Sequence, residues 1–99
     1  MVKAYVVVNI TVTNLDRFIS EYISKVGLTM TPFGGKVLVR SGHISYQEGP
    51  SLGEGNVVIE FPSRAAALGW KDSEDYQAII KGRTENSFGT LIIIDGVSD

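Results

Sequence analysis

The chain has no cysteine in its 99 residues. Disulfide frameworks, thiolate zinc sites, iron–sulfur clusters and thiol nucleophiles are therefore excluded, and the lack of thiols fits a cytoplasmic protein. Histidine occurs once, at His43, so no multi-histidine metal site can be built. The carboxylates Glu48, Glu54, Asp72, Glu74 and Asp75 fall in loops or helix starts without metal-ligand spacing. No phosphate-loop or dinucleotide-binding glycine pattern is present, and neither a metal nor a cofactor is expected. Basic residues are few and scattered, nine against eleven acidic ones with a net charge of −2. This leaves no patch for a nucleic-acid backbone or an anionic membrane. No stretch approaches the roughly 20 apolar residues of a membrane span. The apolar N-terminal run is short, β-branched and without a small-residue cleavage site, so it reads as a strand and not as a leader.

What is present is the composition of a folded globule, 43% hydrophobic and 20% charged. At this length the expectation is one domain over residues 1–99, near the size at which a partner chain adds useful burial. Residues 4 to 12, AYVVVNITV, are rich in branched and aromatic side chains and nearly continuous in hydrophobicity, which predicts a central strand. Asn14 is placed to cap a helix whose apolar positions Leu15, Phe18, Ile19, Tyr22, Ile23 and Val26 recur at helical spacing, with Gly27 as its stop. Pro32 makes LTMTPF a connector, and Gly34 and Gly35 supply a tight turn into a second strand, KVLVRS. A polar loop leads to NVVIEF, a third strand. Ser63 caps a helix through RAAALGW, Asp72 or Ser73 caps a second piece through EDYQAII, and SFGTLIIID is the last strand.

The order β-α-β-β-α-β predicts an α+β, ferredoxin-like fold, a four-stranded antiparallel sheet with both helices on one face. The other face is also apolar. In the first strand Tyr5, Val7, Asn9 and Thr11 oppose Ala4, Val6, Val8 and Ile10, and neither set is made for water. A second copy laid sheet to sheet would cover it, so a homodimer is expected. If the hairpin of strands two and three is symmetric about Pro50, Arg40 lies opposite Glu60, and Leu38, Arg40, Val58 and Glu60 share the partner-facing side.

That register makes Arg40 and Glu60 either a structural pair or a site in which Arg40 holds a carboxylate or enolate while Glu60 or His43 moves protons. The catalytic candidates are Arg40, Glu60 and His43. The binding candidates are Arg40, Asn9, Trp70 and Tyr76, the two aromatics lying at the break between helix pieces, where a core role is the alternative.

The segments AYVVVNITVTN, TPFGGKVLVRSG and VVIEFPS, with the W-x-x-S-x-x-Y-Q spacing at Trp70, Ser73, Tyr76 and Gln77, resemble the family called domain of unknown function 1330, of the dimeric α/β-barrel superfamily. The resemblance covers residues 3 to 95. It implies the ferredoxin-like fold and a sheet-to-sheet homodimer, and it implies no activity. Lys71 and the loop 43–55 depart from the family pattern. Three readings follow: a cytoplasmic dimer with a pocket for a small molecule, for which a carboxylate suits Arg40; a cofactor-independent monooxygenase or isomerase acting on an activated enol or phenol, as among superfamily relatives; and a structural or regulatory dimer without a site.

Overall fold

The branched run AYVVVNITV forms strand β1 (Ala4–Val12), and its alternate residues Ala4, Val6, Val8 and Ile10 are buried while those between are half-buried. The computed structural model describes residues 2–51 and 53–98. After β1 the Asn14 side chain accepts from the Arg17 amide and opens a continuous helix, α1, over residues 15–30. Its middle, Ile19–Ile23, is a π-helical turn, a one-residue insertion that is common at functional sites. Strand β2 is Lys36–Ser41, β3 is Gly55–Phe61 and β4 is Ser87–Asp95. Between β3 and β4 come three short helices: α2 (Arg64–Asp72), α3 (Glu74–Gln77) and α4 (Ile80–Thr84).

The sheet is antiparallel with the order β2-β3-β1-β4, and the helices cover one face of it. This is the expected βαββαβ ferredoxin-like arrangement. The main core is built where α2 meets the sheet: Ala67, Trp70 and Phe61 are fully buried there, with Tyr76 beside them. The Trp70 ring lies 4.1 Å from Tyr76 and 5.4 Å from Phe61 between centroids, and its indole N–H donates to Thr29 Oγ1 at 3.0 Å. Ser63 and Ser73 cap α2 and α3 through their hydroxyls, as the sequence indicated.

Two local expectations are corrected. Gly27 does not stop α1; the helix runs to Met30 and passes into a 3-10 turn, Thr31–Phe33, with Pro32 in its first positions, where a missing amide costs nothing. The terminating glycine is Gly34, whose φ of 76° is the left-handed conformation that closes a helix and whose amide bonds to the Thr31 carbonyl. The break between helix pieces, for which Gly69 and the Asp72–Ser73 step are both signals, falls at Ser73, and Gly69 lies within α2.

The third correction carries more weight. Strand β2 pairs Val37 with Ile59, then Val39 with Val58 and Arg40 with Val57, so Leu38 is an extra residue in a β-bulge. A one-residue slip moves every later side chain to the opposite face. Arg40 therefore follows Val57 onto the helix side of the sheet, Val39 moves to the uncovered side, and the expected pairing of Arg40 with Glu60 does not form: Lys36 stands opposite Glu60.

Candidate functional site

Helix α1 is tied to its helical neighbours along one flank. The Tyr22 hydroxyl lies 2.9 Å from that of Tyr76, Thr29 receives the Trp70 indole, and the Gly82 backbone approaches the Glu21 carbonyl so closely that no side chain would fit between them. Asn86 holds the start of the helix, its carbonyl accepting from the amides of Thr13 and Asn14. The other flank spans the sheet over β1 and β3 toward β2, where the facing side chains are short: Val8, Val37, Val57 and Gly55. The helix is anchored on one side and the valines do not reach it from below, so a cleft of about 610 Å³ remains.

The walls of the cleft are mostly apolar. Phe18, Tyr22, Val26 and Met30 line it from α1, and Val8, Ile10, Val57 and Ile59 from the sheet. Three charged side chains border it: Arg40 from β2, Glu54 at the start of β3, and Arg83 from α4. Arg40 is exposed at the rim, and no carboxylate among the described residues makes an ion pair with it. Arg83 is half-buried, and its Nε donates to Tyr76 Oη at 3.3 Å. Burial pushes the Tyr22 hydroxyl well above the ordinary phenol range, and the neighbouring Tyr76 adds to this; Arg83 opposes it without cancelling it.

Five of the six sequence candidates divide between the two sides of the sheet, and the sixth, His43, lies off it. Arg40 and Trp70 border the cleft, Trp70 from within the core. Tyr76 is buried behind Tyr22 and reaches the cleft only through it and Arg83. Asn9 lies on the uncovered sheet face, its amide nitrogen donating to Asn56 Oδ1 at 2.7 Å and to the Gly53 carbonyl at 3.1 Å. Glu60 shares that face and is bonded to Lys3 at 2.9 Å. His43 is exposed in the loop after β2 and is not part of the cleft lining. Tyr22, Arg83 and Glu54 were missed as site residues: Tyr22 read as one apolar step of an amphipathic helix, Glu54 as a loop carboxylate, and Arg83 was not distinguished from the other scattered basic residues. Among the described residues no three His, Asp or Glu side chains are grouped as a metal ion requires, and no helix is long and apolar enough to cross a membrane.

The fold and this cleft define a ferredoxin-like α+β protein with an apolar chamber between its first helix and its sheet. The chain belongs to the family described as Domain of unknown function (DUF1330), whose model matches residues 3–97. Among solved structures it is similar to RPA0582, a protein of unknown function from Rhodopseudomonas palustris: the identity is 18%, the match covers 99% of this chain and 85% of that one, and the TM-score is 0.75. A structure of methylated RPA0582 matches at 20% identity over 98% of this chain and 81% of that one, with a TM-score of 0.67. At such identities the likeness bears on the fold alone. No curated protein matches the chain.

Proposed function

We propose that the protein binds a small, largely apolar, carboxylate-bearing molecule in the cleft beneath α1, and that it does so as a cytoplasmic homodimer. The observation that carries this reading is the cleft itself, about 610 Å³ of mostly apolar chamber bordered by Arg40, a guanidinium without an ion-pair partner among the described residues. A volume of this size suits a small molecule. Burying the ligand's apolar body supplies most of the affinity at about 25 cal/mol per Å², and the planar fork of an arginine matches a carboxylate in two parallel hydrogen bonds. The site that was expected between two sheets is thus proposed within one chain, under its first helix.

The dimer rests on the other side of the sheet. Phe88 is 61% exposed there, Ile92 and Ile94 are each 47% exposed and Val39 is 42% exposed, which makes an apolar face that water does not favour. The molecule measures 37 × 35 × 15 Å, a slab whose broad side is large enough for the roughly 800 Å² per partner of a stable interface. An enzymatic reading draws support from one further observation: Glu54 is a carboxylate on the border of the apolar cleft, where it is available as a base toward an enol or phenol bound there.

A thermal-shift screen with aromatic acids and lactones tests the binding reading. Acids should raise the melting temperature of the wild-type chain, and Arg40→Ala should remove most of that rise while leaving the unliganded melting temperature in place. A shift that survives the substitution would take Arg40 out of the site. Light scattering tests the dimer: a monomer mass at micromolar concentration would contradict it.

A further inference from the structure

Three hydrogen-bonding groups meet at one wall of the cleft, and their hydrogens can be assigned by exclusion. A guanidinium only donates, so Tyr76 Oη accepts from Arg83 Nε at 3.3 Å. Tyr76 is 1% exposed, which keeps water from its hydroxyl hydrogen. Among the described residues the one remaining neighbour able to accept that hydrogen is the Tyr22 hydroxyl, 2.9 Å away. A buried donor left without an acceptor is disfavoured, so Tyr76 donates to Tyr22. Tyr22 Oη then accepts and still holds a hydrogen of its own, for which no acceptor is found among the described residues. Tyr22 lines the cleft.

We infer that the Tyr22 hydroxyl is the interior hydrogen-bond donor of the cleft, directed at an oxygen of the bound molecule, with Tyr76 as the positioning residue that orients it and Arg83 adjoining both hydroxyls. This rests on the reading of the cleft as a binding site and narrows its ligand. Arg40 stands at the exposed rim and Tyr22 is buried, so the molecule carries two oxygen functions on an apolar body: a carboxylate held at the rim by Arg40, and a ketone, enol or phenolic oxygen held inside by Tyr22. Burial keeps the Tyr22 phenol protonated, which suits a donor and excludes it as a base.

The test uses two probes of nearly equal shape, 6-acetyl-2-naphthoate and its isopropenyl analogue, in which a methylene replaces the ketone oxygen. The wild-type chain should bind the ketone about 2- to 10-fold more tightly, the range expected of one neutral hydrogen bond. Tyr22→Phe should abolish this preference, and Arg40→Ala should weaken both probes by the same factor. Tyr76→Phe should reduce the preference while leaving affinity for the isopropenyl analogue in place. Tyr22→Phe leaves the Tyr76 hydrogen without an acceptor, so the double variant Tyr22→Phe/Tyr76→Phe serves as a second test in a wall that contains no stranded donor; it too should show no preference.

Proton NMR of the ligand-free protein tests the assignment without any probe. A slowly exchanging hydroxyl resonance should be present in the wild-type chain and absent in Tyr76→Phe. A slow resonance that persists in Tyr76→Phe and is lost in Tyr22→Phe would overturn the inference, as would equal binding of the two probes to the wild type or a preference that survives Tyr22→Phe. Failure of both probes to bind the wild type, with the NMR assignment as expected, would instead overturn the reading of the cleft as a binding site.

Discussion

The two halves of the helix-covered sheet face are filled by different residues and end in opposite states. Beneath α2, Ala67 brings the backbone close to the sheet and Trp70, Phe61 and Tyr76 fill the space so completely that almost none of their surface remains exposed. Beneath α1 the sheet offers Val8, Val37 and Val57 to a helix anchored by its flank, and a chamber remains. The contrast shows a division of labour. Large aromatic rings close one half and hold the fold together, and that stability allows the other half to stay hollow, the condition for a binding site.

Removing the large ring from the sealed half should have the greatest effect. Trp70→Ala is expected to cost about 3–5 kcal/mol, through the cavity it leaves and the indole donor that Thr29 Oγ1 loses while keeping its own bond to the Val26 carbonyl, measured by urea denaturation. The sharper comparison adds the same side chain to both halves. Ala67→Phe forces a ring into a fully buried position and should cost about 1–3 kcal/mol or more. Val57→Phe places its ring in the chamber and should change stability by less than about 1 kcal/mol while abolishing ligand-induced thermal shifts. Equal destabilisation by the two substitutions would mean that the halves do not differ in packing.

The smallest effect lies on the surface, away from both halves. Arg64 donates to both carboxylate oxygens of Asp95 and holds its carboxyl below the ordinary carboxylate range. A depressed folded-state value means that this contribution is fully present above the carboxyl's ordinary range and is lost as the pH falls through the folded value. Both groups are exposed, so the effect is small and screened by salt. Asp95→Asn should remove a slight acid-side slope from the urea midpoint plotted against pH and leave the neutral-pH midpoint nearly unchanged.

Most of the fold was legible because its signals are local. The branched run of β1, the serine caps at Ser63 and Ser73 and the alternation along β3 each act within a few residues, and each appears where its chemistry places it. The site was less legible because its determinants are not local. Nothing in KVLVRS marks Leu38 as a bulge, since every residue there suits a regular strand, yet that one residue decides which face Arg40 occupies. Tyr22 and Tyr76 are 54 positions apart, and only the packing of α1 against α3 joins their hydroxyls. Gly27 misled for a related reason: glycine weakens a helix interior by only about 1 kcal/mol, which neighbouring packing offsets.

The most direct test is a crystal structure of the protein soaked with 2-naphthoate. The ring should lie between α1 and the sheet against Val8 and Val57, with its carboxylate on Arg40. A helix collapsed onto the sheet with no chamber beneath it, or naphthoate bound only on the opposite face of the sheet, would contradict the account.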